Sequence, residues 1–288
     1  MTSADVASYL AQRKALVDMA LDARLPAASV EPRRVHDAMR YAVLAGGKRL
    51  RPILTLAVGE LSGQPPEAVL DAACALELVH TASLVLDDLP AMDNGQMRRG
   101  QPCTHITFSE DTAILAVMGL VALAFEWTAR NGEAQGGASL VSAVVRRLAR
   151  AMGTAGIVGG QHVDLRESHD LSSEHDLELM YEQKAGALFL ASVEIPAALV
   201  GLPPCQVQTL VRFARSIGLA FQVTDDLLDE QATPQDALKS NFVTQLGRKR
   251  AKRRAEELVA AAHRELEPFG ESAWALREVA DFVKSRTV

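Results

Sequence analysis

The chain has 288 residues, 48% of them apolar, with 36 acidic against 30 basic side chains, enough to bury one large core or two small ones. A net charge of −6 argues against nucleic acid as the main partner, although cations cluster at Lys48–Arg51 and Arg248–Arg254. Cys74, Cys103 and Cys205 are too few and too scattered for a disulfide framework or a zinc site, which fits a reducing, cytoplasmic setting. The N-terminus, M-T-S-A-D-V-A-S-Y-L-A-Q-R-K, is too polar for a signal peptide. The apolar run Ala113–Phe125 is too short to cross a bilayer, so no membrane span is expected.

Helical periodicity dominates and β-type alternation is nearly absent. Glu31-Pro32 opens a helix that Gly46-Gly47 closes, and later punctuation falls at Gly63–Pro66, Asn131–Gly137, Gly201–Pro204, Ala232–Pro234 and Pro268–Gly270. Neither a repeat nor a long linker interrupts this pattern. The expectation is one all-α domain over residues 1–288, a helical bundle of about ten helices.

The first chemical loop is Gly46-Gly47-Lys48-Arg49-Leu50-Arg51-Pro52. Paired glycines let backbone N–H groups approach an anion, and Lys48 and Arg51 are the candidate phosphate ligands. A helix C-cap with a solvated basic turn is the equal alternative. Next, the helix of roughly Pro66–Asp88 puts Leu76, His80, Ser83, Leu84 and Asp87 on one face. His80 is read evenly as a satisfied core residue or as part of a site two turns below the carboxylates. Ala82 and Ser83 are small and leave the space beneath Asp87 open.

That helix leads into L-D-D-L-P-A-M-D-N-G-Q-M-R-R-G at Leu86–Gly100, with Asp87, Asp88 and Asp93 followed by Arg98 and Arg99. Carboxylates after an apolar run must be paired or must hold a cation, and hard oxygen ligands suit Mg²⁺. A capped helix end with ordinary ion pairs is the plainer alternative. Thr104–Phe125 reads as an apolar wall. Gly160-Gln161 with Asp164 reads as a buried polar network, and Lys184 is a cation on an apolar stripe, needing an anionic partner if buried. The last motif, Phe221-Gln222-Val223-Thr224-Asp225-Asp226-Leu227-Leu228-Asp229, puts three carboxylates on one helical face, where they repel unless a cation intervenes.

Taken in order, these motifs resemble the trans-type isoprenyl diphosphate synthases along nearly the whole chain. The two aspartate-rich motifs match D-D-L-P-A-M-D at Asp87–Asp93 and D-D-L-L-D at Asp225–Asp229, with G-G-K-R-L-R-P, Gly160-Gln161, Lys184 and Phe221-Gln222 in the expected order. The resemblance implies an all-α bundle around a central apolar cavity, and three Mg²⁺ ions held by Asp87, Asp88, Asp93, Asp225, Asp226 and Asp229. It implies that Gly47, Lys48, Arg51, His80 and Arg99 bind isopentenyl diphosphate. Arg98, Lys184, Ala185, Phe221, Gln222 and Lys239 would bind the allylic diphosphate, with Lys184, Lys239 and Arg98 as the catalytic cations.

Family-wise, Ala82 and Ser83 stand at the chain-length floor. They resemble the geranylgeranyl diphosphate synthases of bacterial carotenoid pathways more than farnesyl synthases. A homodimer is implied as well. The chain departs from the pattern at Val117-Met118, where relatives often carry Gly-Asp, and at Ala185, where threonine is usual. It also departs in the short stretch between Asp229 and Lys239. A farnesyl synthase, a class I terpene cyclase and a non-catalytic subunit of a heteromeric synthase are the alternatives.

Overall fold

Leu70–Asp87 contains neither glycine nor proline and is rich in alanine and leucine, so it forms an uninterrupted α-helix, α4, entered through a 3₁₀ turn at Pro66–Val69. The structure, a computed structural model, describes residues 3–166, 171, 173–228 and 240–285, with side chains from residue 8 onward. The chain divides into two compact units, Met1–Val145 and Arg146–Val288.

In the first unit α4 is surrounded. Ala72, Ala73, Cys74, Ala75, Leu76 and Leu78 are wholly buried, so the helix shows no single apolar stripe. Its neighbours are α1 (Ser3–Arg24), α2 (Arg33–Leu44), α3 (Leu50–Glu60) and α6 (Glu110–Gly136). A two-residue hairpin, β1 (Met97–Arg98) with β2 (Gln101–Pro102), is the one sheet among the described residues, and α5 (Thr104–Phe108) follows it. Thr104–Phe125 is thus two helices rather than one wall: Ser109 turns to φ 115° between α5 and α6, and its hydroxyl bonds Asp111 and Thr112 at the start of α6. The α7 helix (Ala138–Met152) runs across the unit boundary.

Ala113, Ala116, Leu120, Ala124 and Trp127 form the buried stripe of α6, while Ile114, Leu115 and Met118 are exposed. The apolar run 113–125 therefore lies inside a 27-residue helix, and its shortness does not exclude a span by length alone. Among the described residues two segments, 66–87 and α6, are long and apolar enough to cross a membrane, with 72% and 44% of their most apolar stretches buried inside the protein.

The second unit is built on α11 (Pro204–Leu228), which buries Leu210, Phe213, Ala214, Ile217, Ala220 and Val223. Around it lie α8 (Ile157–Arg166), α9 (Glu174–Tyr181), a π turn at Glu182–Gly186, α10 (Ala187–Leu199), α12 (Phe242–Leu246), α13 (Arg248–Glu265) and α14 (Trp274–Ser285). The all-α expectation holds.

Asn131 fixes where α4 begins. Its buried Oδ1 accepts from the Ala72 N–H at 3.0 Å and its Nδ2 donates to the Ala68 carbonyl at 2.7 Å. Replacing Asn131 by Ala strands one of the unsatisfied donors of the first helical turn. The loss is about 1–3 kcal/mol, read as a lower urea midpoint at unchanged slope.

Candidate functional site

The first aspartate-rich loop folds back on the end of α4. The Asp93 N–H donates to the Asp87 carbonyl at 2.9 Å and the Gly95 N–H to the Asp88 carbonyl at 3.1 Å, so backbone groups that a helix end leaves orphaned are satisfied locally. This brings Asp93 to Asp87 through the main chain. Asp87 is half-buried, Asp93 exposed, and Asp88 only 3% exposed. Arg98 grips Asp88 with Nε at 3.1 and 3.2 Å and Nη2 at 2.5 Å, which raises the Arg98 pKa. All three carboxylates sit at a helix C-terminus, where the macrodipole adds negative charge rather than relieving it.

Arg98 and Arg99 diverge because a two-residue turn separates the hairpin strands. Arg99 (φ 53°) and Gly100 (φ 82°) both take the left-handed region that such turns require. Arg99 then donates through Nη1 to the Gly46 carbonyl at 2.6 Å, with Nη2 3.7 Å from Glu77. Its guanidinium lies against Gly47, where a Cβ would stand 2.9 Å from Cζ. Gly47 is needed for that approach as well as for its φ of 122°.

Beneath the loop, Arg49 is 2% exposed and also left-handed (φ 52°). It bonds Asp18 at 2.8 Å, Glu77 at 2.6 Å and the Val43 carbonyl at 2.7 Å. Arg49 thus braces the loop from inside, and its neighbours in sequence, exposed Lys48 and buried Arg51, flank it. Arg51 Nη1 stands 3.4 Å from His80 Nε2, which must accept because a guanidinium only donates. Burial, then the charges of Arg51, Arg99, Arg49 and Arg98, hold His80 well below its ordinary 6.5. Gly47, Arg51, His80 and Arg99 are therefore brought together as one cationic corner, with Lys48 at its edge.

In the second unit, α8 crosses the π turn at van der Waals limits: a Cβ on Gly160 would meet Lys184 N at 2.2 Å. The turn carries Lys184, whose Nζ reaches Asp164 Oδ2 at 2.6 Å, so the cation on the apolar stripe has its anion; Ala185 beside it is buried. The π turn adds a residue at the point where Lys184 must aim, as such insertions often do at functional sites. Phe221 packs on Phe189 at 5.4 Å between centroids. Gln222 and Asp225 are half-buried, while Asp226 is 7% exposed and accepts from Tyr181, Gln222 and the Phe242 N–H. Burial raises Asp226 to about 6 although all three donors favour its charged form, and burial raises Tyr181 well above 10. Asp229 and Lys239 lie outside the described residues.

Sequence reasoning did not single out Glu77, Arg49, Tyr181 or Phe242. Glu77 had a signal, a carboxylate inside an apolar run three residues before His80, and Arg49 stood in the cationic Gly46–Pro52 loop with no sign that it turns inward; Tyr181 and Phe242 had none that distinguished them from helix faces.

Ser83 stays half-exposed on the Asp87 face, its hydroxyl turned to the His80 carbonyl at 2.9 Å, and Ala82 is buried. Among the described residues no three His, Cys, Asp or Glu side chains converge as a ready metal cage. Mg²⁺ fits such a donor set, since it binds through one or two carboxylates and completes its shell with water and phosphate oxygens.

Comparison with known proteins agrees with this equipment. The polyprenyl synthetase family model matches residues 32–244. A geranylgeranyl diphosphate synthase of Cyanophora paradoxa is 39% identical, covering 99% of this chain and 98% of that one. Geranylgeranyl pyrophosphate synthase 4 of Arabidopsis thaliana is 40% identical over 93% of this chain and 74% of its own. The crystal structure of an FPP/GFPP synthase from Zymomonas mobilis superposes with a TM-score of 0.88 at 34% identity, over 98% of this chain and 99% of that one. The fold is the isoprenoid-synthase fold. The chain belongs to the polyprenyl synthetase family and is a trans-prenyltransferase.

The depressed His80 has a measurable consequence. Its stability contribution is present above 6.5 and lost as the pH falls toward its folded value, because the unfolded chain then binds the proton more readily. The chain should lose more thermal stability than His80→Gln between about pH 7.5 and 5.5. Equal losses would refute a His80 held neutral in the folded chain.

Proposed function

We propose that this prenyltransferase is a geranylgeranyl diphosphate synthase, condensing isopentenyl diphosphate with dimethylallyl, geranyl and farnesyl diphosphates. The observation that carries the C20 reading is the pair Ala82 and Ser83 below Asp87: small side chains, the second on the open Asp87 face. The names of the Cyanophora and Arabidopsis relatives support it. A farnesyl synthase is the second reading, favoured by the farnesyl product in the name of the Zymomonas protein.

In this reading Asp87, Asp93, Asp225 and Asp229 would hold Mg²⁺ for the diphosphate of the allylic substrate, with Asp88 and Asp226 beside them held by internal partners. Mg²⁺ held there, three ions in the full complement, would supply positive charge against the negative charge gathering on the leaving group. Arg98, Lys184 and Lys239 add fixed positive charge to the same oxygens, with Gln222, Phe221 and Ala185 beside them. The allylic C1–O bond breaks and its electron pair leaves with the diphosphate. Lys48, Arg51, Arg99, His80 and the Gly47 backbone hold isopentenyl diphosphate so that its double bond attacks C1. The proton lost from the adduct goes to the released diphosphate. His80 can donate through Nδ1 to a phosphate oxygen while staying neutral, so it orients the substrate without competing for the proton.

The two units act in this proposal as one synthase domain. The exposed Ile114, Leu115 and Met118 of α6 support a homodimer. Three unpaired cysteines support a cytoplasmic location. Service to a carotenoid pathway belongs to the same proposal.

Pure protein with Mg²⁺, isopentenyl diphosphate and each primer should give a C20 alcohol after dephosphorylation, and Ala82→Tyr should shorten the product to C15. A C15 endpoint in the unaltered chain would select the farnesyl reading. Condensation from no primer would contradict both.

A further inference from the structure

The second aspartate-rich motif contains two neighbouring carboxylates with opposite surroundings. Asp225 is half-buried, whereas Asp226 is 7% exposed and turned into the protein. Asp226 Oδ1 accepts from Gln222 Nε2 at 3.0 Å and from the Tyr181 hydroxyl at 3.2 Å. Asp226 Oδ2 accepts from the Phe242 N–H at 2.9 Å and from the same hydroxyl at 3.2 Å. The Tyr181 ring is stacked on Phe242, 5.5 Å between centroids and 22° between planes, and Phe242 is wholly buried. A capping box between Asn241 and Thr244 fixes the first turn of α12, so the N–H that Asp226 receives belongs to a rigid element.

We infer that Asp226 is a positioning residue rather than a cation ligand: with Tyr181 it clamps the start of α12 to α11 and fixes the orientation of the Gln222 carboxamide. A carboxylate only accepts, so the amide nitrogen of Gln222 must face Asp226 and its oxygen must face away, toward the half-exposed side of α11. Recruiting Asp226 to a metal would break bonds to three donors and uncover the Tyr181–Phe242 stack. Asp225, one residue earlier and about 100° around the helix, is half-buried rather than turned into the protein. The first motif divides in the same way, with Asp88 buried on Arg98 and Asp87 half-exposed. This inference rests on the prenyltransferase reading only for its kinetic arm.

The test compares Asp226→Asn, Tyr181→Phe and Asp225→Asn in the full chain. Without metal or substrate, Asp226→Asn and Tyr181→Phe should each lower the melting temperature by several degrees, and the double variant no further than the larger single. In condensation assays kept well below the melting range, the Mg²⁺ concentration for half-maximal rate should stay within about twofold in Asp226→Asn and rise at least fivefold in Asp225→Asn. Asp226→Asn should lower kcat about tenfold with KM for isopentenyl diphosphate unchanged. In a Gln222→Ala background it should lower kcat no further, because the effect passes through Gln222.

An Mg²⁺ requirement raised as much by Asp226→Asn as by Asp225→Asn, with an unchanged metal-free melting temperature, would make Asp226 a ligand and overturn the inference. A tenfold loss persisting without Gln222 would overturn the positioning role. Should the parent chain condense nothing, the functional reading falls, and the metal-free melting temperatures still decide the clamp.

Discussion

Carboxylates at the C-terminal end of a buried helix are held where three costs coincide. Each is partly desolvated, each feels its neighbours, and the helix dipole points its negative end at all of them. This chain builds that situation twice, at the end of α4 and at the end of α11. In each case one member is removed from the problem by internal partners, Asp88 by Arg98 and Asp226 by Tyr181, Gln222 and Phe242. Asp87 and Asp225, by contrast, stay half-exposed at the two helix ends. In the proposed function a cation and a diphosphate would answer the negative charge at these two helix ends.

Cationic loops raise the converse difficulty, since Arg49, Arg51, Arg98 and Arg99 crowd one corner of the first unit. Glu77 resolves much of it: fully buried, it bonds Arg49 and lies near Arg99, with Asp18 taking the other side of Arg49. Removing such a carboxylate would leave a buried guanidinium uncompensated, a loss on the order of 3–5 kcal/mol. The same charges keep His80 neutral. A neutral imidazole among guanidiniums can donate a hydrogen bond to phosphate without adding to the repulsion.

The sequence disclosed most of this where a pattern was local. The all-α class followed from periodicity, and α4 from an Ala- and Leu-rich run without breakers. The carboxylates stood out because they ended apolar stretches. Features set by tertiary contact were not legible. Nothing in Tyr181 or Phe242 announces that they meet Asp226, since they come from three separate elements. The break at Ser109 depends on hydroxyl bonds that periodicity does not register, and the π turn at Lys184 depends on Gly160 admitting a second backbone. Asp164 and Lys184 were each noticed, but twenty residues of separation hid their pairing.

The most direct measurement is thermal unfolding of the full chain in four solutions: buffer, Mg²⁺ alone, inorganic diphosphate alone, and both. If half-exposed carboxylates wait for a cation that a diphosphate completes, Mg²⁺ and diphosphate together should raise the melting temperature by several degrees, well beyond the sum of the separate effects. An equal rise with diphosphate in the presence of a chelator, or no rise with the pair, would contradict a cation-bridged diphosphate site.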